Sequence, residues 1–346
     1  MSLEDIRNNA REKLKGICGV YRICDGNYSR LCQGQSYGRS IGIGGIGSGT
    51  SFFANYKALE KLRLKMRLIG SHFEPDTTTS FLGKSIFMPI MGASVSGVNS
   101  FGGETVITEK EFCRALVLGC KEAGTIGFRG DTYTYSLQNT PGLDAIAEAG
   151  GWGIKICKPR EQSTLFQFFK KAEQIDAIAV GVDIDGCGSS IMPKHNKPVF
   201  RKSVDELREL ISSTSLPFVI KGVMCVEDAI AATEVDASAI VVSNHGGRVL
   251  DHTPGTADVL PDIAAAVKDR ITVLVDGGIR TGYDVLKMLA LGADAVLVGR
   301  DLVRAAVGGG IEGVRVQMEY LQKTLQKAML LTNCPTLKDI TSEILC

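Results

Sequence analysis

The chain has 346 residues, 44% of them hydrophobic, and a formal net charge of +1 at pH 7. A chain of this length forms either two ordinary domains or one long α/β barrel, so length alone does not decide between them. Acidic and basic residues are mixed along the sequence, without the basic stripe that would neutralise a phosphate backbone. We therefore do not expect nucleic acid as a partner.

The N-terminal sequence MSLEDIRNNAREKLKG is charged and helical in pattern, and it lacks the apolar core of a signal peptide. No later run reaches the roughly 18 apolar residues that a membrane span requires. The sequence has ten cysteines, several inside apolar segments such as FCRALVLGC, which favours reduced thiols over a disulfide framework. We expect a cytoplasmic protein with no membrane span.

Residues 1–84 do not alternate cleanly between strands and helices. We interpret them as an N-terminal helical and glycine-rich extension that packs on the main domain, residues 85–346. Within the extension, Gly42, Gly44 and Gly47 have the GxGxxG spacing of dinucleotide-binding loops. No clear strand precedes these glycines and no sugar-binding acid is identifiable, so the pattern favours a flexible connector.

Three cysteines of the extension, Cys18, Cys24 and Cys32, are separated by five and seven residues. This spacing fits no strong zinc or iron–sulfur motif, and a fourth ligand is not evident nearby. We predict no metal site in this segment and interpret the cysteines as packed or exposed thiols.

From Ser85 onward, short apolar runs bounded by turn residues alternate with amphipathic segments, which is the pattern of repeated βα units. Eight units in about 250 residues match a closed (β/α)₈ TIM barrel with its helices outside. A doubly wound open sheet is the rival architecture, but it usually has fewer strands and an early phosphate loop. The predicted strands are IFMPIMGA, TIGFRG, WGIKICK, AIAVGVDID, LPFVIKGV, ASAIVVSNHG, ITVLVDGGI and DAVLVGRDLV.

Active sites of such barrels lie at the C-terminal ends of the strands. Five predicted strands end in charged, protic or glycine residues, which therefore converge on one mouth. These strand ends carry Asp183, then Lys221, then Ser243 with Asn244 and His245, then Asp276, and finally Gly299 with Arg300.

The segment SNHGGRVLD predicts a proton-transfer and carboxylate-binding site. Gly246 and Gly247 allow a sharp backbone turn after the strand, which directs His245 and Arg248 back to the mouth. An imidazole titrates near neutral pH and is suited to act as a general base at His245. Arg248 offers a planar fork that matches a carboxylate. Asp183 is the expected partner of the imidazolium formed when His245 takes a proton.

Two further segments predict a phosphate site. DGGIRTG places Gly277 and Gly278 beside Arg280, and VGR places Gly299 beside Arg300. Barrels build phosphate sites from the loops that follow strands seven and eight. The phosphate of a cofactor and that of a substrate would both fit this arrangement.

With these residues assembled, the chain resembles the FMN-dependent α-hydroxy-acid oxidases and dehydrogenases, which include glycolate oxidase, lactate oxidase and the flavin lactate dehydrogenases. The resemblance runs from about Gly49 to Val314, and SNHGGRVLD is its most specific element. LPFVIKGVMCVEDA, LVDGGIRTGYDVLKMLALGADAVLVGR and MPIMGAS support it. It implies FMN as cofactor, a lactate- or glycolate-like 2-hydroxy acid as substrate, and a homo-tetramer.

The resemblance also implies roles for individual residues. His245 would take a proton from the substrate, Arg248 would hold its carboxylate, and Asp183 would stabilise the protonated imidazole. Lys221 would lie at the pyrimidine side of the flavin and favour its reduced, anionic form. The other implied flavin contacts are Ser94, Val95 and Ser96 after strand one, Ser243 after strand six, and Asp276, Gly277, Gly278, Arg280, Gly299 and Arg300 around the phosphate.

Several positions depart from the family pattern. On strand three the family has a glutamine and a tyrosine, where this chain has Lys155 and Cys157. A threonine before the strand-four aspartate is Gly181, the arginine loop that follows is IDGCGSSIMPKHNK, and the N-terminal substrate tyrosine is replaced within IGIGGIGSG. We predict that Lys155 lies near the flavin and compensates for a lost donor.

Two other functions remain open at this point. One is a different FMN barrel chemistry, such as that of type 2 isopentenyl-diphosphate isomerase, although the His and Arg of SNHGGR suit a carboxylate better than a diphosphate. The other is a flavin-binding protein without catalysis, against which the set of Asp183, His245 and Arg248 argues. The sequence does not identify the electron acceptor, which would be oxygen, a quinone or a carrier protein.

Overall fold

A computed structural model describes residues 1–14 and 45–346. The predictions made for Cys18, Cys24, Cys32, Gly42 and Gly44 therefore lie outside the described residues. The helices are α1 Leu3–Leu14, α2 Thr50–Lys61, α3 Glu109–Glu122, α4 Pro141–Glu148, α5 Gln162–Gln174, α6 Ile191–Lys194, α7 Val204–Ser212, α8 Val226–Glu234, α9 Thr256–Val267, α10 Gly282–Ala290 and α11 Arg300–Thr332. The strands are β1 Thr79–Phe81, β2 Lys84–Ile86, β3 Ile90–Gly92, β4 Phe128–Arg129, β5 Ile154–Cys157, β6 Ala179–Asp183, β7 Phe218–Val223, β8 Ala239–Val242, β9 Thr272–Asp276 and β10 Ala295–Val298.

Strands β3 to β10 form one parallel sheet in the order β3-β10-β9-β8-β7-β6-β5-β4. The two outer strands of this order meet through a parallel bridge between Gly92 and Gly127, and the Gly92 amide donates to the Ile126 carbonyl over 2.9 Å. The sheet thus closes on itself. All eight predicted strands contain the observed ones, and the predicted TIM barrel is confirmed.

The barrel interior is filled by aliphatic and aromatic side chains from alternate positions of the strands, as expected for a packed barrel core. The hairpin of β1 and β2 adds Phe81 and Ile86 to this interior cluster. Residues of the opposite parity, among them Val180 and Val182, point outward and pack against the helices. The N-terminal end of the barrel is therefore sealed, and polar chemistry is confined to the other end.

Side chains cap the first turns of several outer helices. Thr108 and Glu111 form a reciprocal capping box at α3, and Thr281 and Asp284 form another at α10. The amphipathic pattern predicts a long last helix from about Ile311 to Leu331. In the structure this helix, α11, begins earlier, at Arg300, and continues through a break at Gly310 with φ 58°. Its first turn therefore follows β10 directly.

Helix α2 packs against the loop that follows β8 and fixes its position. Asn55 and Asn244 exchange amide hydrogen bonds of 2.9 and 3.1 Å. Gly247 approaches α2 so closely that a Cβ there would lie 2.4 Å from the Phe52 nitrogen, and its φ is +78°. Only glycine fits this turn, which agrees with the predicted sharp bend.

No helix in residues 1–14 and 45–346 has the length and apolar character needed to cross a membrane. The seven cysteines in this part of the chain are free thiols, namely Cys113, Cys120, Cys157, Cys187, Cys225, Cys334 and Cys346.

Candidate active site

A cavity of about 870 Å³ lies at the C-terminal ends of the barrel strands, within the size range of small-molecule and cofactor sites. Most residues that the sequence singled out line it. Those residues are Ser94, Val95, Ser96, Asp183, Lys221, His245, Arg248, Asp276, Gly277, Gly278, Arg280, Gly299 and Arg300. Ser243 lies directly beneath the wall and is fully buried. The outer part of the cavity is formed by the loop after β3, by Tyr133 and by the segment from Gly188 to Lys194.

A buried charge network forms the floor of the cavity. Lys221 and Asp183 are neighbours in register across β7 and β6, and the lysine Nζ lies 3.2 Å from Asp183 Oδ1. Lys221 also donates to Ser243 Oγ over 3.0 Å and lies 3.8 Å from Asp276 Oδ2. Ser243 in turn donates to Asp276 Oδ1 over 2.7 Å. Every charge in this network has an opposite partner.

Burial alone would lower the pKa of Lys221, but the carboxylates of Asp183 and Asp276 outweigh it and raise the pKa above its ordinary value. The lysine is therefore positively charged throughout the neutral range. A buried, permanent positive charge at the centre of the floor favours electron-rich ligand groups there.

His245 makes its main contacts with two aspartates from the end of β6. Its Nδ1 lies 3.0 and 3.2 Å from the two carboxylate oxygens of Asp185, and 3.4 Å from Asp183 Oδ2. The sequence predicted Asp183 as the partner, and it does lie within ion-pair distance. Asp185 is closer, however, and was not predicted, because it belongs to the 3₁₀ turn Ile184–Gly188 that replaces the family's arginine loop.

The two aspartates have opposite electrostatic surroundings. Burial would raise the pKa of Asp183, but the charges of His245, Lys158 and Lys221 overcome it and hold this pKa well below its ordinary value. Burial and the neighbouring Asp183 carboxylate raise the pKa of Asp185. Asp183 is thus a fixed negative charge, whereas Asp185 is a more basic carboxylate at Nδ1 of the imidazole.

Lys158 is a cavity residue that the sequence analysis did not identify. Its Nζ lies 2.6 Å from Asp183 Oδ2 and 3.4 Å from His245 Nε2. The residue follows β5 directly and continues the inward-facing parity of Ile154 and Ile156. The available signal was this parity, since Lys158 is two residues beyond Ile156.

The prediction that Lys155 contacts the flavin is wrong, because Lys155 faces away from the cavity. Its ammonium donates to the Gly130 carbonyl and lies over the rings of Tyr135 and Phe168, 5.1 and 5.9 Å from their centroids. Cys157 has the same parity and is packed in the outer core. The β5 side chain that faces the cavity is Ile156, which packs beside Gly181 of β6.

Arg248 lies on the cavity wall without an acidic partner among the described residues. Its Nε is buried and has no hydrogen-bond partner there. Burial lowers the pKa of Arg248 to about 10, and the nearby charge of Arg300 adds to this effect. A guanidinium that is buried and lies near another positive charge is stabilised by an anionic ligand.

The glycine and arginine pairs lie together at the far end of the cavity. Gly277 and Gly278 have φ of +106° and +79°, which directs the backbone into the turn after β9. Arg280 and Arg300 line the same space, and α11 begins at Arg300, so the amides of its first turn also point to this end. This donor set suits a phosphate group. The cavity, the charged floor and the phosphate end together fit FMN.

The fold and the site define a flavin-binding TIM barrel with a histidine and a buried arginine at its mouth. Comparison with known families agrees: residues 40–197 and 189–346 match the model of the FMN-dependent dehydrogenases. The chain belongs to this family, and FMN is its cofactor.

Individual relatives cover most of the chain. It is 45% identical over 328 residues to a 2-hydroxyacid oxidase of Dictyostelium discoideum, covering 84% of this chain and 81% of that protein. An L-lactate oxidase of Nostoc sp. is 30% identical over 347 residues, covering 88% and 92%. A crystal structure of a mandelate oxidase variant with benzoyl-formic acid superposes with a TM-score of 0.80 at 28% identity, covering 99% and 97%.

Proposed function

We propose that the protein oxidises a small 2-hydroxy acid of the lactate or glycolate type to the corresponding 2-oxo acid. The observation that carries the proposal is Arg248, whose buried Nε has no partner in the described part of the chain. A substrate carboxylate supplies the missing charge and acceptors. His245 is three residues earlier in the same loop and also lines the cavity, so the base and the carboxylate anchor face one ligand.

The residues of this chain perform the binding and proton steps. Arg248 holds the carboxylate, which brings the 2-hydroxyl to Nε2 of His245. Since Nδ1 faces Asp185 and Asp183, a neutral imidazole carries its proton on Nδ1 and presents the Nε2 lone pair to the hydroxyl. As the hydroxyl proton passes to Nε2, both carboxylates stabilise the imidazolium that forms.

FMN accepts two electrons from the substrate when it is bound. Ser94, Val95, Ser96 and Ser243 are proposed contacts along the flavin ring, and Lys221 provides positive charge beside it. Gly277, Gly278, Arg280, Gly299 and Arg300 hold the ribityl phosphate end. Asp276 is a proposed cofactor contact at the floor beside them, where its carboxylate accepts from Ser243. This assignment rests on their positions around the cavity and on the chemistry of their donors.

The test is an anaerobic titration of the FMN-loaded protein with a panel of 2-hydroxy acids, following loss of the oxidised-flavin absorbance. We expect bleaching by at least one small 2-hydroxy acid. Arg248→Met raises the concentration needed for half-maximal bleaching by about 100-fold, since it removes a bidentate charged contact. Arg201→Met, at an exposed arginine outside the cavity, is the matched control and leaves the titration unchanged.

A bound flavin that no hydroxy acid reduces would contradict the proposal. Reduction of the flavin followed by turnover of an isoprenoid diphosphate would instead favour the isomerase alternative. Flavin binding without any turnover would favour a non-catalytic role.

We further propose that the protein is a homo-tetramer, on the family resemblance, and that it acts in the cytoplasm, as expected from its sequence pattern. Light scattering on the purified holoprotein gives the subunit number, and a mass other than four times 37.0 kDa would contradict the tetramer. Fractionation of the source cells tests the location.

A further inference from the structure

The wall of the cavity that β5 forms, together with the facing part of β6, has no neutral side-chain hydrogen-bond donor near His245. Ile156 and Gly181, the facing residues of β5 and β6, offer no polar side-chain atom to a ligand. The side chain that comes next along the wall is Lys158, which lines the cavity and is only 13% exposed. The first side-chain donor beyond Ile156 on this strand is therefore a cation.

Lys158 is held in place by its surroundings. Its backbone amide donates to Asp131 Oδ2 over 3.2 Å, and Asp131 is itself fixed by a buried ion pair of 2.8 Å with Arg160. The loop after β6 packs against the lysine stem, where a Cβ on Gly186 would lie 2.7 Å from Cδ and 3.2 Å from Nζ. The ammonium thus has a defined position rather than the freedom of a surface lysine.

The ammonium lies beside the place that the proposed function gives to the substrate hydroxyl. Nζ lies 3.4 Å from His245 Nε2, the atom proposed to face the hydroxyl. An oxygen atom fits within hydrogen-bond distance of both nitrogens at this separation. It would donate its proton to Nε2 and accept a hydrogen bond from Nζ.

We infer that Lys158 is a catalytic residue of the oxidation: its ammonium donates a hydrogen bond to the 2-oxygen of the substrate while His245 Nε2 takes the hydroxyl proton. The inference rests on the proposed function. The O–H bond breaks, the carbon–oxygen bond becomes a carbonyl, and the α-hydrogen leaves with two electrons for the oxidising cofactor. Lys158 transfers no proton in this step, and its charge stabilises the negative charge that develops on the oxygen.

The ligand pair pyruvate and propionate isolates this contact, because the two acids share the carboxylate and only pyruvate has the 2-oxygen. Their dissociation constants for the oxidised holoprotein are measured by calorimetry, which needs no turnover. In Lys158→Met, the preference for pyruvate over propionate falls by about 10- to 100-fold, as expected for one charged hydrogen bond. Arg248→Met weakens both acids alike. Lys170→Met, at an exposed lysine of α5, is the control for loss of one charge.

The rate of anaerobic flavin reduction in Lys158→Met falls by about 100-fold with the best 2-hydroxy acid. Gly186→Ala is the second variant, because it keeps the lysine but displaces the ammonium, and we expect a smaller loss of the same kind. Flavin content and melting temperature show whether Lys158→Met has folded. If it has not, the ligand preference and the reduction rate of Gly186→Ala and Lys158→Arg test the inference instead.

Unchanged ligand preference and reduction rate in Lys158→Met, with a wild type that a hydroxy acid does reduce, would overturn the inference and leave the proposed function intact. Equal loss of pyruvate and propionate affinity would also overturn it, since the lysine would then hold the carboxylate. A wild type that no hydroxy acid reduces would overturn the proposed function and this inference with it.

Discussion

His245 is surrounded by charged side chains at the C-terminal ends of β5 and β6. They place negative charge at one ring nitrogen and positive charge at the other. Nδ1 faces Asp185 and Asp183, while Nε2 faces Lys158 and the cavity. In the proposed function, the carboxylates stabilise a proton on the imidazole, and the ammonium faces the substrate oxygen that releases this proton. This asymmetry suits removal of a hydroxyl proton as negative charge leaves the substrate carbon.

Asp185 is expected to contribute to the reaction as a positioning residue. Asp185→Asn removes the nearest carboxylate from Nδ1 and leaves only Asp183, 3.4 Å away and shared with two lysines. We predict that the anaerobic rate of flavin reduction falls about 10- to 100-fold, while the affinity for propionate stays constant because Arg248 is intact. Asp205→Asn, at an exposed aspartate, is the control. A rate equal to that of the wild type would show that Asp183 alone stabilises the imidazolium.

The carboxylate of Asp251 links the loop after β8 to the segment at the start of α2. Asp251 accepts hydrogen bonds from the Ser48 amide and hydroxyl, over 2.6 and 2.7 Å, and from the Ser51 amide over 3.4 Å. Ile46 of the same segment lines the cavity and donates its amide to the Gly247 carbonyl over 2.7 Å. Asp251 therefore holds this wall of the cavity against the loop that carries His245.

Removing this carboxylate is expected to loosen the segment without disturbing the barrel. Asp251→Ala lowers the free energy of unfolding by about 1–3 kcal/mol, because hydrogen bonds to a charged acceptor are lost. Hydrogen exchange measured by mass spectrometry becomes faster in residues 46–53, whereas peptides from β6 and β7 keep their protection. Uniformly faster exchange, including those strands, would contradict a local role.

The same carboxylate gives a pH dependence of stability with a definite sign. Partial burial would raise the pKa of Asp251, but hydrogen bonds from Ser48, His252 and Ser51 lower it to about 2. Because this pKa is lower in the folded chain, the stabilisation is present above the ordinary carboxyl pKa and is lost as pH falls through about 2. The stability difference between wild type and Asp251→Ala should therefore narrow below about pH 4, as measured by denaturant unfolding. A difference independent of pH would contradict this assignment.

The sequence predicted the elements better than the direction of their side chains. The eight strands and the helical segments between them follow from hydrophobic runs, turn residues and amphipathic patterns, all of which are local signals. The phase of β5 is not a local signal, because IKIC has apolar residues on both sides of Lys155. Its amine is satisfied by a carbonyl and two rings from other segments, which only the fold brings together. Lys158 can be assigned from parity only once the phase of β5 is known, and the position of Asp185 depends on the 3₁₀ turn that follows β6.

For the molecule as a whole, closure of the barrel brings segments that are far apart in sequence to one cavity. The proposed phosphate end comes from the loops after β9 and β10, and the proposed acid–base residues follow β6 and β8, so FMN bound as proposed would contact both sides of the barrel. Binding of FMN is therefore expected to stabilise the whole fold by mass action, by about 4 kcal/mol at a free concentration 1,000 times the dissociation constant.

The phosphate end can be tested separately from the flavin ring with riboflavin, which lacks the phosphate. We predict that the wild-type apoprotein binds FMN at least 100-fold more tightly than riboflavin, and that Arg280→Ala reduces FMN affinity while riboflavin affinity hardly changes. Fluorescence quenching of the flavin and thermal unfolding measure both. Equal loss of the two affinities would place the ring, not the phosphate, beside Arg280.

The most direct test of the account is single-turnover reduction of the bound FMN under anaerobic conditions, with quantification of the product, in the wild type and in His245→Gln. We predict that one equivalent of a 2-hydroxy acid reduces one FMN in the wild type and yields one equivalent of 2-oxo acid. His245→Gln binds the same acid but reduces the flavin about 1,000-fold more slowly, since it lacks the base. Reduction at the wild-type rate in His245→Gln, or no 2-oxo acid from a wild type with full flavin content, would contradict the account.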